Sequence, residues 1–198
     1  MDEWPRMKSP DDLIDLCGMA RHAAAFYDAA LLLRTPAGKP MESDSLGVSA
    51  LVNAAFAVEI GLKATIACEK RIATYPELRA YLKKELGRYN LHNIELLFQH
   101  LAPDTQWRIR LYFELHQPAK WDTLISGTSF MDFSRMIFAK AELDSFEKLL
   151  THASDSFEKW RYKFESGASV GSLTFLLTLA ESVLESLPRP FHNDYVPP

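Results

Sequence analysis

Apolar residues cover nearly every side of a helical wheel drawn over residues 45–71, SLGVSALVNAAFAVEIGLKATIACEKR, which contain no proline and one mid-run glycine, Gly61. Such a stretch predicts a central helix buried over most of its surface, not a helix with one wet face. Its leucines and alanines favour helix, and its valines and isoleucines oppose it only weakly. Three strongly polar side chains interrupt the apolar part: Asn53, Glu59 and Lys63. An unpaired buried charge is costly, so each predicts a partner or a wet cleft.

The same three-and-four spacing recurs before and after this stretch. Leu13, Leu16, Cys17, Ala20, Ala24, Tyr27 and Leu31 predict a helix running to about Arg34, with Ser9 as its cap and Pro10, Asp11 and Asp12 in its first turn. Residues 35–40, TPAGKP, read as a loop, and Ser43, Asp44 and Ser45 offer a cap for the central helix. Thr74 is placed to cap a further helix with Pro76 and Glu77 in its first turn, ending at Gly87. Residues 91–101 predict a short helix with Ile94, Leu97, Phe98 and Leu101 facing inward. Pro103 should break it. Asp104 then caps a helix to about Gln117, stopped by Pro118, with Trp107, Leu111, Tyr112 and Leu115 as its apolar face.

Residues 118–138 lose the period and read as a long loop pinned by Trp121, Phe130 and Phe133. It returns over 139–165 through Phe146, Leu149, Leu150, Ala153, Phe157, Trp160 and Phe164, and Gly167 ends that element. Residues 172–187 form a last apolar helix closed by Pro188. No strand alternation and no repeat is present. The expectation is an all-α chain, one domain over residues 1–187 with a tail over 188–198.

Composition narrows this. The 198 residues suffice for one domain with a substantial core. No run of eighteen apolar residues is free of charge, so no membrane span is expected. The polar, acidic start MDEWPRMKSPDD does not resemble a secretory leader, which points to the cytoplasm. Cys17 and Cys68 both fall in apolar helical contexts and read as buried free thiols, a disulfide or reactive pair being the alternative. A net charge of −4 argues against a chain whose whole surface holds nucleic acid. A local basic patch is compatible with it: Arg79, Lys83, Lys84 and Arg88 follow one another in the third predicted helix, either as a solvated face or as a surface for nucleic acid.

Three segments, taken in order, resemble the HEPN-type helical domains, including their prokaryotic abortive-infection relatives. NAAFAVEIGLKATI at residues 53–66 resembles their N-x-A-x-x-x-E-x-x-L-K-A helix. LHNIELLFQHL at 91–101 resembles their H-x-L-x-x-L helix start, and FEKWRYKFE at 157–165 their late W-R-Y-x-x-E helix. The resemblance spans about residues 45–187. It implies a HEPN-like helical bundle with a core of four or more long helices plus shorter ones, a homodimer, and a binding or dimerisation module or a metal-independent ribonuclease. The implied partners are RNA or a nucleotide and a cognate defence or antitoxin protein, with no cofactor. The family's catalytic pair is an Arg followed four to six residues later by a His in a late helix. Arg161 stands there, but no His follows at that distance. Arg110 and His116 have the spacing, six apart, and are the candidate catalytic pair, Arg for phosphate charge and His for proton transfer. Six residues turn two side chains about 120° apart on a straight helix, so they converge only if the helix ends or bends near Pro118.

The residues themselves suggest a second constellation. Glu59 and Lys63 are four apart, glutamate first, and Asn53 projects about 80° from Lys63. Arg161 and Glu165 are likewise four apart beside Phe157, Trp160 and Phe164. Packing of these two helices would join Glu59, Lys63, Arg161 and Glu165 in a partly buried network, with His92 and Tyr162 near it. That network fixes helix register, lines a pocket for a ligand or RNA phosphate, or performs acid–base chemistry; the sequence leaves all three open. No phosphate loop, no nucleophile elbow and no metal-ligand spacing is found.

Overall fold

The structure is a computed structural model that describes residues 13–33, 44–125, 146–154 and 173–187. Its named elements are all helices: α1, Leu16–Leu33; α2, Asp44–Glu69; α3, Tyr75–Leu86; α4, Ile94–Gln99; α5, Pro103–Ile125; α6, Phe146–Ser154; and α7, Leu173–Ser186. Extended pairing among the described residues amounts to one isolated bridge, Leu13 with Thr74. The chain is all-α there, as the hydrophobic period predicts.

The centre of the bundle is α2. Ala54, Ala57, Val58, Leu62 and Ile66 are fully buried, and Leu51, Ala55 and Ala67 nearly so. Between Ala50 and Ala67, Val52, Asn53, Phe56, Ile60 and Lys63 are partly open. Burial follows from packing: α1 lies along one side of α2, and α7 and α4 against others. Both helices bury alanines, Ala23 and Ala30 on α1 and Ala54 and Ala57 on α2, residues that add little side-chain bulk where the two helices pack. Gly61 does the same toward α7: a Cβ there would stand 2.6 Å from Val183 Cγ1. By length and hydropathy alone Ser49–Glu69 could cross a membrane, but 67% of that apolar window is buried inside the protein, which accounts for its composition without a bilayer.

The start of α1 differs from the sequence expectation. Residues before Leu13, including the Ser9 cap, lie outside the described residues. From Leu13 to Asp15 the chain is not helical, and the Ile14 N–H donates to the Ala73 carbonyl at 2.8 Å. The cap is instead Asp15, whose Oδ1 accepts from the Gly18 N–H at 2.8 Å. Among the described residues, then, the helix begins at Leu16, after a long-range backbone bond from Ile14.

The third helix forms as its residues specify. The Thr74 hydroxyl accepts from the Glu77 N–H at 3.3 Å and the Glu77 carboxylate accepts from the Thr74 N–H at 3.2 Å, a reciprocal box. Gly87 ends it at φ 82°. In α4 the Asn93 side chain is the N-cap, and Ile94, Leu97, Phe98 and Leu101 are all buried.

Three expectations fail in α5: its cap, its end and its inward face. Pro103 is its first residue, where a missing N–H costs nothing, so Asp104 lies inside the first turn instead of capping it. The helix also continues through Pro118 to Ile125. Proline there removes one ladder bond, to the Glu114 carbonyl, while stopping would forfeit every later one. The inward face is Thr105, Ile109 and Phe113; Trp107 and Leu115 are 62% and 64% exposed and Leu111 is exposed as well. Tyr112 is half-buried. Phe113 joins Phe98, Phe146 and Phe175 in a ring cluster with centroids 5.1 to 6.2 Å apart, which ties α4, α5, α6 and α7 together. Edge and tilted contacts of this kind exceed simple area burial by about 0.5–1.5 kcal/mol each.

Candidate functional site

Glu59 lies midway along α2 with its side chain only 7% exposed. One helical turn later Lys63, 17% exposed, places Nζ 2.6 Å from Glu59 Oε1. The third member comes from 33 residues away. The turn between α3 and α4 brings the His92 Nδ1 to 2.9 Å from the same Oε1. That placement follows from local chemistry. Leu97 and Phe98 bury α4 against the core, the Asn93 cap fixes where α4 begins, and His92 immediately precedes the cap, over α2.

An ionised carboxylate can only accept, so the shared proton sits on His92 Nδ1 and the ring is held in that tautomer or as imidazolium. Burial opposes the charge on Glu59. The His92 hydrogen bond and the Lys63 ammonium outweigh it, and the carboxyl titrates below its ordinary value of 4.5. Oε1 takes both donors, while Oε2 is buried without a hydrogen-bond partner among the described residues. The cluster therefore combines a fixed anion, an ammonium, an oriented imidazole with its side chain 44% exposed, and one spare acceptor.

The other sequence candidates divide as follows. Asn53 turns back on its own helix, donating from Nδ2 to the Ser49 carbonyl at 2.7 Å, and shares no partner with Lys63 among the described residues. Arg161, Tyr162 and Glu165 lie outside the described residues, so the inter-helix network beyond Glu59, Lys63 and His92 does too. Arg110 packs between the Phe98 and Phe146 rings, 5.6 and 5.5 Å from their centroids, with Nη1 2.9 Å from a Glu147 oxygen. Its Nε is buried and unpartnered among the described residues. His116 is farther along the same unbroken helix and its side chain is outside the described set. Cys17 and Cys68 are free thiols, half-buried rather than fully buried.

Sequence reasoning missed two features. Glu69, at the end of α2, accepts through Oε2 from the Ala102 N–H at 2.7 Å, which makes it a remote cap for α5. Ser154, at the end of α6, accepts through Oγ from the Glu95 N–H at 2.7 Å and donates to the Leu150 carbonyl, joining α6 to the start of α4. Neither contact has a local signature, since both join residues more than thirty apart.

The chain matches no protein-family model, and neither the curated proteins nor the solved structures give a significant match.

Proposed function

We propose that the chain is a HEPN-like helical module that binds RNA or a nucleotide at the Glu59–Lys63–His92 cluster, acts as a homodimer in the cytoplasm, and serves a toxin–antitoxin or phage-defence system together with a cognate protein. The observation that carries this reading is the 2.9 Å contact between Glu59 and His92. It joins two of the three segments on which the family resemblance rests, 53–66 and 91–101, at their polar positions. The chemistry suits a phosphate-bearing ligand: Lys63 and His92 donate, and the buried carboxylate fixes both donors in place. The ribonuclease reading with Arg110 and His116 is the weaker one. The Arg110 guanidinium is already engaged by Glu147 and two phenyl rings, as a bracing residue would be.

The test is fluorescence anisotropy with labelled oligoribonucleotides and with competing nucleotide, in EDTA, alongside a cleavage gel. Binding that weakens at least about tenfold in Lys63→Met and His92→Ala, without cleavage, supports a binding module. No binding by the wild-type protein overturns it. Cleavage that survives EDTA and is lost in His116→Ala would favour the ribonuclease.

A further inference from the structure

We propose that the turn joining α3 to α4 is a docking site for single-stranded RNA, with Tyr89 as the platform on which a base stacks and Lys83 and Arg88 as phosphate contacts. This rests on the RNA-binding reading and extends it to a surface beside the buried cluster.

Tyr89 is 80% exposed. Its backbone is nonetheless held. Gly87 adopts φ 82°, the Asn90 side chain donates to the Leu86 carbonyl at 2.8 Å, and the Asn90 N–H donates to the Gly87 carbonyl at 3.3 Å. A second turn follows at once, the Asn93 N–H donating to the Asn90 carbonyl at 3.1 Å, and Asn93 then caps α4. An aromatic ring presented to water on a closed turn between two capped helices has given up little further entropy when a base covers it.

The charge around it is positive in a chain that is acidic overall. From Lys83 to Asn93 the cations are Lys83, Lys84 and Arg88, and the sole acid is Glu85. Glu85 pairs with Lys84 at 3.6 Å. Lys83 and Arg88, like Arg79 one turn earlier on α3, have no carboxylate within ion-pair distance among the described residues. Exposed cations beside an exposed ring are what sequence-tolerant single-strand binding uses: stacking on the ring and Coulomb attraction to the backbone. A duplex offers no free base face to Tyr89, and an acidic peptide would use the cations but not the ring. His92 follows three residues after Tyr89, so the two α-carbons are within about 11 Å, and one short strand can reach both.

The experiment is anisotropy of a fluorescein-labelled single-stranded oligoribonucleotide of mixed sequence, titrated with full-length protein at several salt concentrations. Tyr89→Ala is expected to weaken binding about five- to a hundredfold, and Tyr89→Trp to restore it. Arg88→Gln should lower the slope of log affinity against log salt by about 0.7. Circular dichroism should be unchanged in each, because both side chains are exposed. Tyr89→Ala binding as tightly as wild type, while Lys63→Met weakens binding, removes this site and leaves the buried-cluster reading standing. A paired RNA hairpin or poly-glutamate that binds as tightly as the single strand also overturns the proposal. A wild-type protein that binds no RNA ends both.

Discussion

Replacing Glu59 by Gln should destabilise the protein by about 2–3 kcal/mol. Removing one partner of a buried ion pair typically costs about 3–5 kcal/mol, because the other charge stays buried without compensation. Here the stranded group is Lys63, whose side chain is 17% exposed, and His92 is 44% exposed, so water recovers part of the loss. For a domain of this size the shift in Tm is about 4–12 °C. Urea unfolding followed by circular dichroism measures it. The decisive comparison is the double variant Glu59→Leu with Lys63→Met. Taking both charges out together strands no buried charge, and the His92 donor left without its acceptor is 44% exposed and can turn to water, so the double variant should unfold within about 1 kcal/mol of wild type. The pH dependence gives an independent reading. The Glu59 carboxyl is held below 4.5 in the folded state, so its contribution is complete above the ordinary carboxylate range. It is lost as pH falls from about 4.5 through the folded value, where the native state must take up a proton it had excluded. Wild type should therefore lose stability faster than Glu59→Gln on acidification in that window. A cost under about 0.5 kcal/mol for Glu59→Gln, or a double variant as unstable as the two single changes combined, would refute the reasoning.

Gly61→Ala should destabilise by about 1–3 kcal/mol in the same assay, since the new Cβ meets a stiff β-branched side chain at 2.6 Å, and Val183→Ala should rescue part of that loss. Thr74→Ala breaks the reciprocal box at the start of α3 and should cost about 1 kcal/mol, read as a lower urea midpoint with unchanged slope. Arg110→Met should cost about 1–2 kcal/mol through the lost ring contacts and ion pair, and should leave RNA affinity unchanged if Arg110 braces α5 against α4 and α6. Trp107→Ser and Leu115→Ser should each change stability by under about 0.5 kcal/mol, because both side chains are mostly in water.

What could be read from sequence depended on whether the signal was local. Thr74, Pro76, Glu77 and Gly87 specify α3 end to end because caps act within a few residues. The all-round apolar character of α2 identified the central helix, and its i,i+4 pair identified Glu59 with Lys63. His92 could be placed near them only through the family resemblance and the expected packing, since nothing local joins residues 33 apart. The bond from Ile14 to Ala73, just ahead of α1, has no local signature either. The face of α5 was misread because two apolar rows compete: Trp107, Leu111 and Leu115, and Ile109 with Phe113. Packing against α7 selects the second, and no periodicity within α5 records that choice.

The bond from Ile14 to Ala73 has a consequence for how this chain can vary. It joins the segment just ahead of α1 to the segment that follows α2, so the antiparallel hairpin is clasped at the end opposite its connecting segment. A hairpin shut at the far end does not rely on its connector to keep the arms in register. Lengthening the link between α1 and α2 would then add little beyond ring-closure entropy, about 0.6 kcal/mol for each doubling. A reporter peptide or affinity handle spliced in there should leave the bundle intact, whereas trimming the chain past Ile14 would unfasten it.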